Sequence, residues 1–99
     1  MKDDRLTLCN DIIKTCIQMS KSGINQGTSG NLSVRYNDGF LITPSSLPYD
    51  EMQPKDIVEM DFNGTYIGKQ PSSEWRFHRD ILKEMQTISE YKILENFNT

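Results

Sequence analysis

The 99-residue sequence has one histidine, His78, which rules out a histidine-rich metal centre within it. It has two cysteines, Cys9 and Cys16, seven positions apart. On a helix that spacing separates their Cα atoms by about 10.5 Å along the axis, whereas a disulfide needs roughly 4.4–6.8 Å. An intrahelical bridge is excluded, and the two read as small buried hydrophobes rather than reactive thiols. No apolar run approaches the roughly 18–20 residues of a membrane span. The opening "MKDDRLTLCND" has acids where a secretory signal has basic residues and then an apolar stretch, so the expected location is cytoplasmic. There is no excess of positive charge either. Eleven Lys and Arg stand against 14 Asp and Glu, for a net charge of −3, and the basic residues are scattered. Nucleic acid, which calls for a basic face, is a poor candidate partner.

What is present is the composition of one folded domain: 35% hydrophobic and 25% charged residues, with no internal repeat or low-complexity tract. A chain of this size buries roughly 60–65% of the surface its unfolded form exposes. Residues 3 to 22 have helical periodicity. At about 100° per residue, Leu6, Leu8, Cys9, Ile12, Ile13, Cys16, Ile17 and Met19 share one half of the wheel. That width suits packing on a sheet. Gly23 suits the position after the last turn. "GINQGTSGN" then reads as a loop, "LSVRY" as a strand, "NDG" as a tight turn and "FLIT" as the hairpin partner. A second loop with a helical turn at 50–53 leads to the strand "IVEMDF", the turn "NGT" and a short extended "YIG". A last helix begins near Ser73. Helices flanking short strands imply an α/β or α+β domain with a mainly antiparallel sheet.

Three polar clusters lie at the ends of these elements. "NQGTSGN" is not a P-loop, lacking the lysine after its last glycine. It is not a dinucleotide fingerprint, since it leads from helix to strand. It offers backbone N–H groups, with Thr28, Ser29 and Asn31 alongside, and reads either as a plain turn or as an anion cradle. Ser45-Ser46 and Ser72-Ser73 read singly as turn or capping residues. If the three ends converge, they form a donor-rich phosphate pocket. On the last helix, Trp75, Phe77, Ile81, Leu82 and Met85 make an apolar arc between about 200° and 360°, and Glu74 and His78 fall inside it. Glu74 is either a residue placed at the helix dipole or an acid/base carboxylate. For His78 the reading is a satisfied core histidine. As a metal motif, E-x-x-x-H supplies only two of the three or four ligands that zinc takes.

Taken in order, "NQGTSGNLSVRYNDGFLITPSSLPYDEM", "DIV" and "PSSEWRFH" resemble the class II (zinc-dependent) aldolase and adducin family. The likeness runs over residues 1–82, and the tail 83–99 has none. The resemblance implies the N-terminal portion of a three-layer α/β/α domain with a mainly antiparallel central sheet, here truncated. It implies that Gly30, Asn31, Ser45, Ser46, Ser72 and Ser73 bind the phosphate of a ketose phosphate, and that Glu74 moves the proton beside the zinc. Some members have Thr-Gly where this chain has Ser45-Ser46, so a side chain fills the glycine's open space. In the family zinc supplies Lewis-acid charge for C–C cleavage. Its histidine ligands, an H-x-H and a later histidine, have no counterpart here. Only Glu74 would meet the metal, and the expectation is that this chain binds no zinc and is inactive alone. The complete family members are expected to be homo-oligomers, and this shorter chain is expected to expose apolar edges. The same fold without catalysis, as in the adducin head, is the alternative: a non-catalytic binding module.

Overall fold

The computed structural model describes residues 4–21, 30–85 and 92–96, the last stretch by its backbone. Gly23, Thr28 and Ser29, singled out above, lie outside the described residues. The elements are α1 (Asp4–Lys21), β1 (Gly30–Tyr36), β2 (Gly39–Ile42), β3 (Val58–Asp61), β4 (Tyr66–Ile67), α2 (Trp75–Glu84) and β5 (Lys92–Asn96). The five strands form one sheet in the order β4-β3-β2-β1-β5, every neighbouring pair antiparallel. Single 3₁₀ turns at Tyr49–Glu51 and Pro54–Asp56 shape the connection from β2 to β3. None of the described helices is long and apolar enough to cross a membrane.

Strand periodicity divides the core in two. Leu32, Val34 and Leu41 pack with Cys9, Ile12, Cys16 and Met19 of α1. Phe40 and Ile42, of opposite parity on β2, pack with Val58, Met60 and Leu82 of α2. The sheet is therefore covered by α1 on one face and α2 on the other, the three-layer arrangement that the sequence resemblance implies. Each fully buried Leu, Ile or Phe contributes roughly 1.5–3 kcal/mol relative to exposure. Both cysteines are free and buried. Burial raises the thiol pKa of each, pushing Cys16 up to about 12, as expected of packing residues.

The β1–β2 hairpin closes as "NDG" predicts, with Tyr36 paired to Gly39. Asn37 takes a positive φ of 52°, which asparagine tolerates better than most residues. Gly39 is required for a different reason. A β-carbon there would lie 2.0 Å from the Met60 carbonyl oxygen of β3.

Three expectations need correction. Leu6 is 52% exposed, although the wheel places it in α1's apolar half; it sits at the margin of that arc, in the first turn. Phe77 and Met85 are 48% and 37% exposed. Phe77 is at the edge of the α2 arc, and Met85 is the helix's C-cap, outside the helical geometry that a wheel assumes. The buried stripe of α2 is His78 and Leu82. The strand β5 is a new element, antiparallel to β1 from Gly30↔Asn96 to Val34↔Lys92, where the sequence suggests none.

Candidate functional site: a polar junction at the ends of β1, β2 and α2

The route from β2 to α2 is tied together by backbone bonds. After β2, Thr43 continues the pairing, its N–H donating to the Leu32 carbonyl at 3.1 Å. Pro44 then forms an antiparallel bridge with Pro71. On either side of that bridge the Ser45 N–H donates to the Gln70 carbonyl at 2.9 Å, and the Ser72 N–H to the Thr43 carbonyl at 3.0 Å. The Ser45-Ser46 turn and the Ser72-Ser73 segment, separated by over twenty residues in sequence, thus become neighbours. The Ser72 hydroxyl donates to Asn31 Oδ1 at 2.9 Å, which brings in the start of β1. The geometry joins all three polar clusters.

Exposure varies across the junction. Asn31 and Ser72 are buried, Ser45 is half-buried, and Ser46 and Ser73 are exposed. Gly30 is the first residue of β1, facing Asn96 in the β5 register. Ser46 has a φ of 59°, the left-handed region that glycine occupies freely and L-residues enter at a cost of roughly 1–2 kcal/mol. Its hydroxyl is 3.4 Å from that of Ser45.

Glu74 is the N-cap of α2 rather than a first-turn residue, with φ −93° and ψ 15°. The Ser72 hydroxyl oxygen accepts the Glu74 N–H at 3.2 Å, so Ser72, not Ser73, closes this entry turn. The Glu74 carbonyl accepts the His78 N–H at 3.3 Å, starting the helix. The side chain is half-buried, and among the described residues no hydrogen bond or ion pair engages its carboxylate. A carboxylate in that position remains available to a ligand.

His78 is fully buried beneath this junction. Burial lowers its pKa from 6.5 to about 4, so the ring is neutral near pH 7. Its Nε2 lies 2.9 Å from Asn31 Oδ1 and its Nδ1 2.6 Å from the Ser33 hydroxyl oxygen. The histidine on the apolar face is a satisfied core histidine, as its position in the pattern suggests. Ser33 is the residue that sequence reasoning passed over. Its signal was present: Asn31, Ser33 and Arg35 alternate on one face of β1, and all three are polar. Arg35 meets the same helix, donating to the Leu82 carbonyl in its last turn.

The comparisons with known proteins follow this architecture. The family described as Class II Aldolase and Adducin N-terminal domain matches residues 10–89. The L-fuculose phosphate aldolase of Escherichia coli strain K12 is 54% identical over 76 residues, covering 76% of this chain and 35% of that protein. The 5-methylthioribulose-1-phosphate/5-deoxyribulose-1-phosphate aldolase of Rhodospirillum rubrum is 49% identical over 89 residues, 89% of this chain and 40% of that protein. A solved L-fuculose 1-phosphate aldolase superposes with a TM-score of 0.78 at 32% identity, covering 92% of this chain and 44% of that one. This chain belongs to the class II aldolase and adducin family. It spans between a third and a half of the length of these relatives.

That family is generally zinc-dependent, and the residues described here do not fit a zinc ion. Among them no group of three or more His, Cys, Asp or Glu side chains could hold one. The sequence's one histidine has both ring nitrogens engaged by Asn31 and Ser33. Glu74 belongs to no group of three or more such side chains among the described residues.

Proposed function

We propose that this chain carries the phosphate-binding and proton-transfer part of a class II sugar-phosphate aldolase or epimerase. Its substrate is a ketose phosphate, the class to which the substrates in its relatives' names belong. Gly30, Asn31, Ser45, Ser46, Ser72 and Ser73 surround the phosphate, and Glu74 accepts and returns the proton at the carbon next to the carbonyl. Fixing the phosphate sets the substrate's register against that carboxylate. The observation that carries the reading is the junction itself: the Ser72 hydroxyl on Asn31 and the Ser45 N–H on Gln70 bring together, at a half-buried carboxylate, three segments distant in sequence. In this reading residues 1–82 are the aldolase-like part, the family match running on to residue 89 within the 83–99 tail, the chain works in the cytoplasm, and complete relatives are homo-oligomers.

The cleavage step needs Lewis-acid charge that these residues do not supply. The expected behaviour of the 99-residue polypeptide is phosphate binding without turnover. That no group of three or more His, Cys, Asp or Glu side chains among the described residues could hold a metal ion favours a second reading, a non-catalytic module like the adducin head. One preparation separates the readings. Purified chain is assayed for zinc content, for cleavage of L-fuculose 1-phosphate with added zinc, and for binding of inorganic phosphate. Binding without zinc or turnover supports the first reading; no binding favours the second. One retained zinc per chain together with turnover would contradict the account of the metal ligands.

A further inference from the structure

We infer that His78, backed by Ser33, is a positioning residue that locks the Asn31 amide in the orientation presenting its NH2 group to the phosphate. This rests on the phosphate-pocket reading and goes further, assigning a task to two side chains beneath the pocket.

The place is unusual for polar groups. Around it the contact between the sheet and α2 is apolar, built from Phe40, Ile42, Val58, Met60 and Leu82. Ser33 and His78 are both fully buried in the same layer, and Asn31 is 5% exposed. Burying polar groups costs free energy unless every one is bonded, and here they are bonded in a chain. An amide oxygen can only accept. With Asn31 Oδ1 set against His78 Nε2 at 2.9 Å, the ring proton is assigned to Nε2. Nδ1 is then the acceptor, and the Ser33 hydroxyl donates to it across 2.6 Å. The Ser72 oxygen accepts the Glu74 N–H, and its hydroxyl proton goes to the same Asn31 oxygen.

Asn31 Oδ1 therefore receives two donors from below and beside it. Rotating the amide by half a turn would set its NH2 against the Nε2–H, donor facing donor. With Nε2 protonated the ring holds the amide in one orientation, and in it the two Nδ2 hydrogens lie away from Ser72 and His78, unused by any described residue. A phosphate oxygen is the acceptor that such a fixed donor pair suits. Preorganised donors bind an anion without first having to rotate.

The test uses 15N-labelled chain, in which the one histidine makes the ring signals unambiguous. Long-range 1H–15N correlation should show Nε2 protonated and Nδ1 bare; the opposite tautomer would overturn the assignment. Inorganic phosphate affinity is then measured in wild type, Ser73→Ala, His78→Leu and His78→Gln. His78→Leu should weaken binding by about tenfold, the scale of one lost hydrogen bond. His78→Gln should recover to within about threefold of wild type, because its amide N–H replaces the Nε2 donor, a rescue that mere core filling would not give. If Ser73→Ala weakens phosphate binding and His78→Leu does not, the positioning role is wrong and the pocket stands. If wild type binds no phosphate, or Ser73→Ala binds as wild type, the pocket reading falls and takes this inference with it. Should His78→Leu fail to fold, the wild-type tautomer and the glutamine variant decide.

Discussion

Lowering the pH from 7.5 to 5 should remove stability through a single side chain, His78. Burial holds its folded-state pKa near 4, against 6.5 for the free side chain. The unfolded chain therefore takes up the proton first. The contribution is complete above about pH 6.5 and is lost as the pH falls toward 4. At 1.36 kcal/mol per unit, the full gap corresponds to about 3 kcal/mol, of which roughly 2 kcal/mol is lost between pH 7.5 and 5. The interval is favourable because the sequence has no other histidine, and ordinary carboxylates titrate mostly below it. Urea unfolding followed by Trp75 fluorescence, in wild type and in His78→Gln, would isolate the effect. Wild type should lose roughly 2 kcal/mol more than the variant over that range. Parallel losses would show that the ring is not buried as a neutral group, and the chain of bonds from Ser33 to Ser72 would lose its centre.

Other consequences follow from single positions. Native protein at pH 8 should react with a thiol reagent far more slowly than urea-unfolded protein, since Cys9 and Cys16 are both buried; equal rates would contradict their packing against the sheet. Gly39→Ala should destabilise by about 2 kcal/mol or more, because its methyl group would meet the Met60 carbonyl oxygen, and a thermal melt unchanged within error would refute that contact. Ser46→Gly should be neutral or stabilising by up to about 1 kcal/mol, relief of the left-handed backbone being partly offset by the freer unfolded chain. A clear loss of stability there would mean that the serine hydroxyl contributes more to the turn than its conformation costs.

The elements that could be read from sequence are those whose signal is local. Cys9, Ile12, Cys16 and Met19 mark the buried face of α1 by spacing alone. Asn37 and Gly39 mark the hairpin because few other residues satisfy the turn and the close approach to β3. The wheel of α2 identifies Leu82 and places His78 correctly, but it overreaches at Phe77 and at Met85, where the helix is already ending. Glu74 appears as a first-turn residue because a wheel cannot tell an N-cap from the turn that follows it. The strand β5 was not legible: "KILEN" is short, and its partner β1 is some sixty residues earlier. Convergence of the serine doublets on Asn31 is likewise a property of the Pro44–Pro71 bridge and not of any one segment. Only resemblance to a family joins those segments at the level of sequence. The polar side of β1 carries a signal that reads two ways. Asn31, Ser33 and Arg35 look like a solvated strand face, yet Asn31 and Ser33 are buried against α2 because His78 supplies them with partners.

The account depends on three separated segments forming one anion pocket, and chemical-shift mapping tests this most directly. Inorganic phosphate titrated into 15N-labelled chain should move the amide signals of Gly30 and Asn31, Ser45 and Ser46, and Ser72 and Ser73 together, on one binding curve. Shifts confined to one segment, or scattered over lysine and arginine positions elsewhere on the surface, would contradict it.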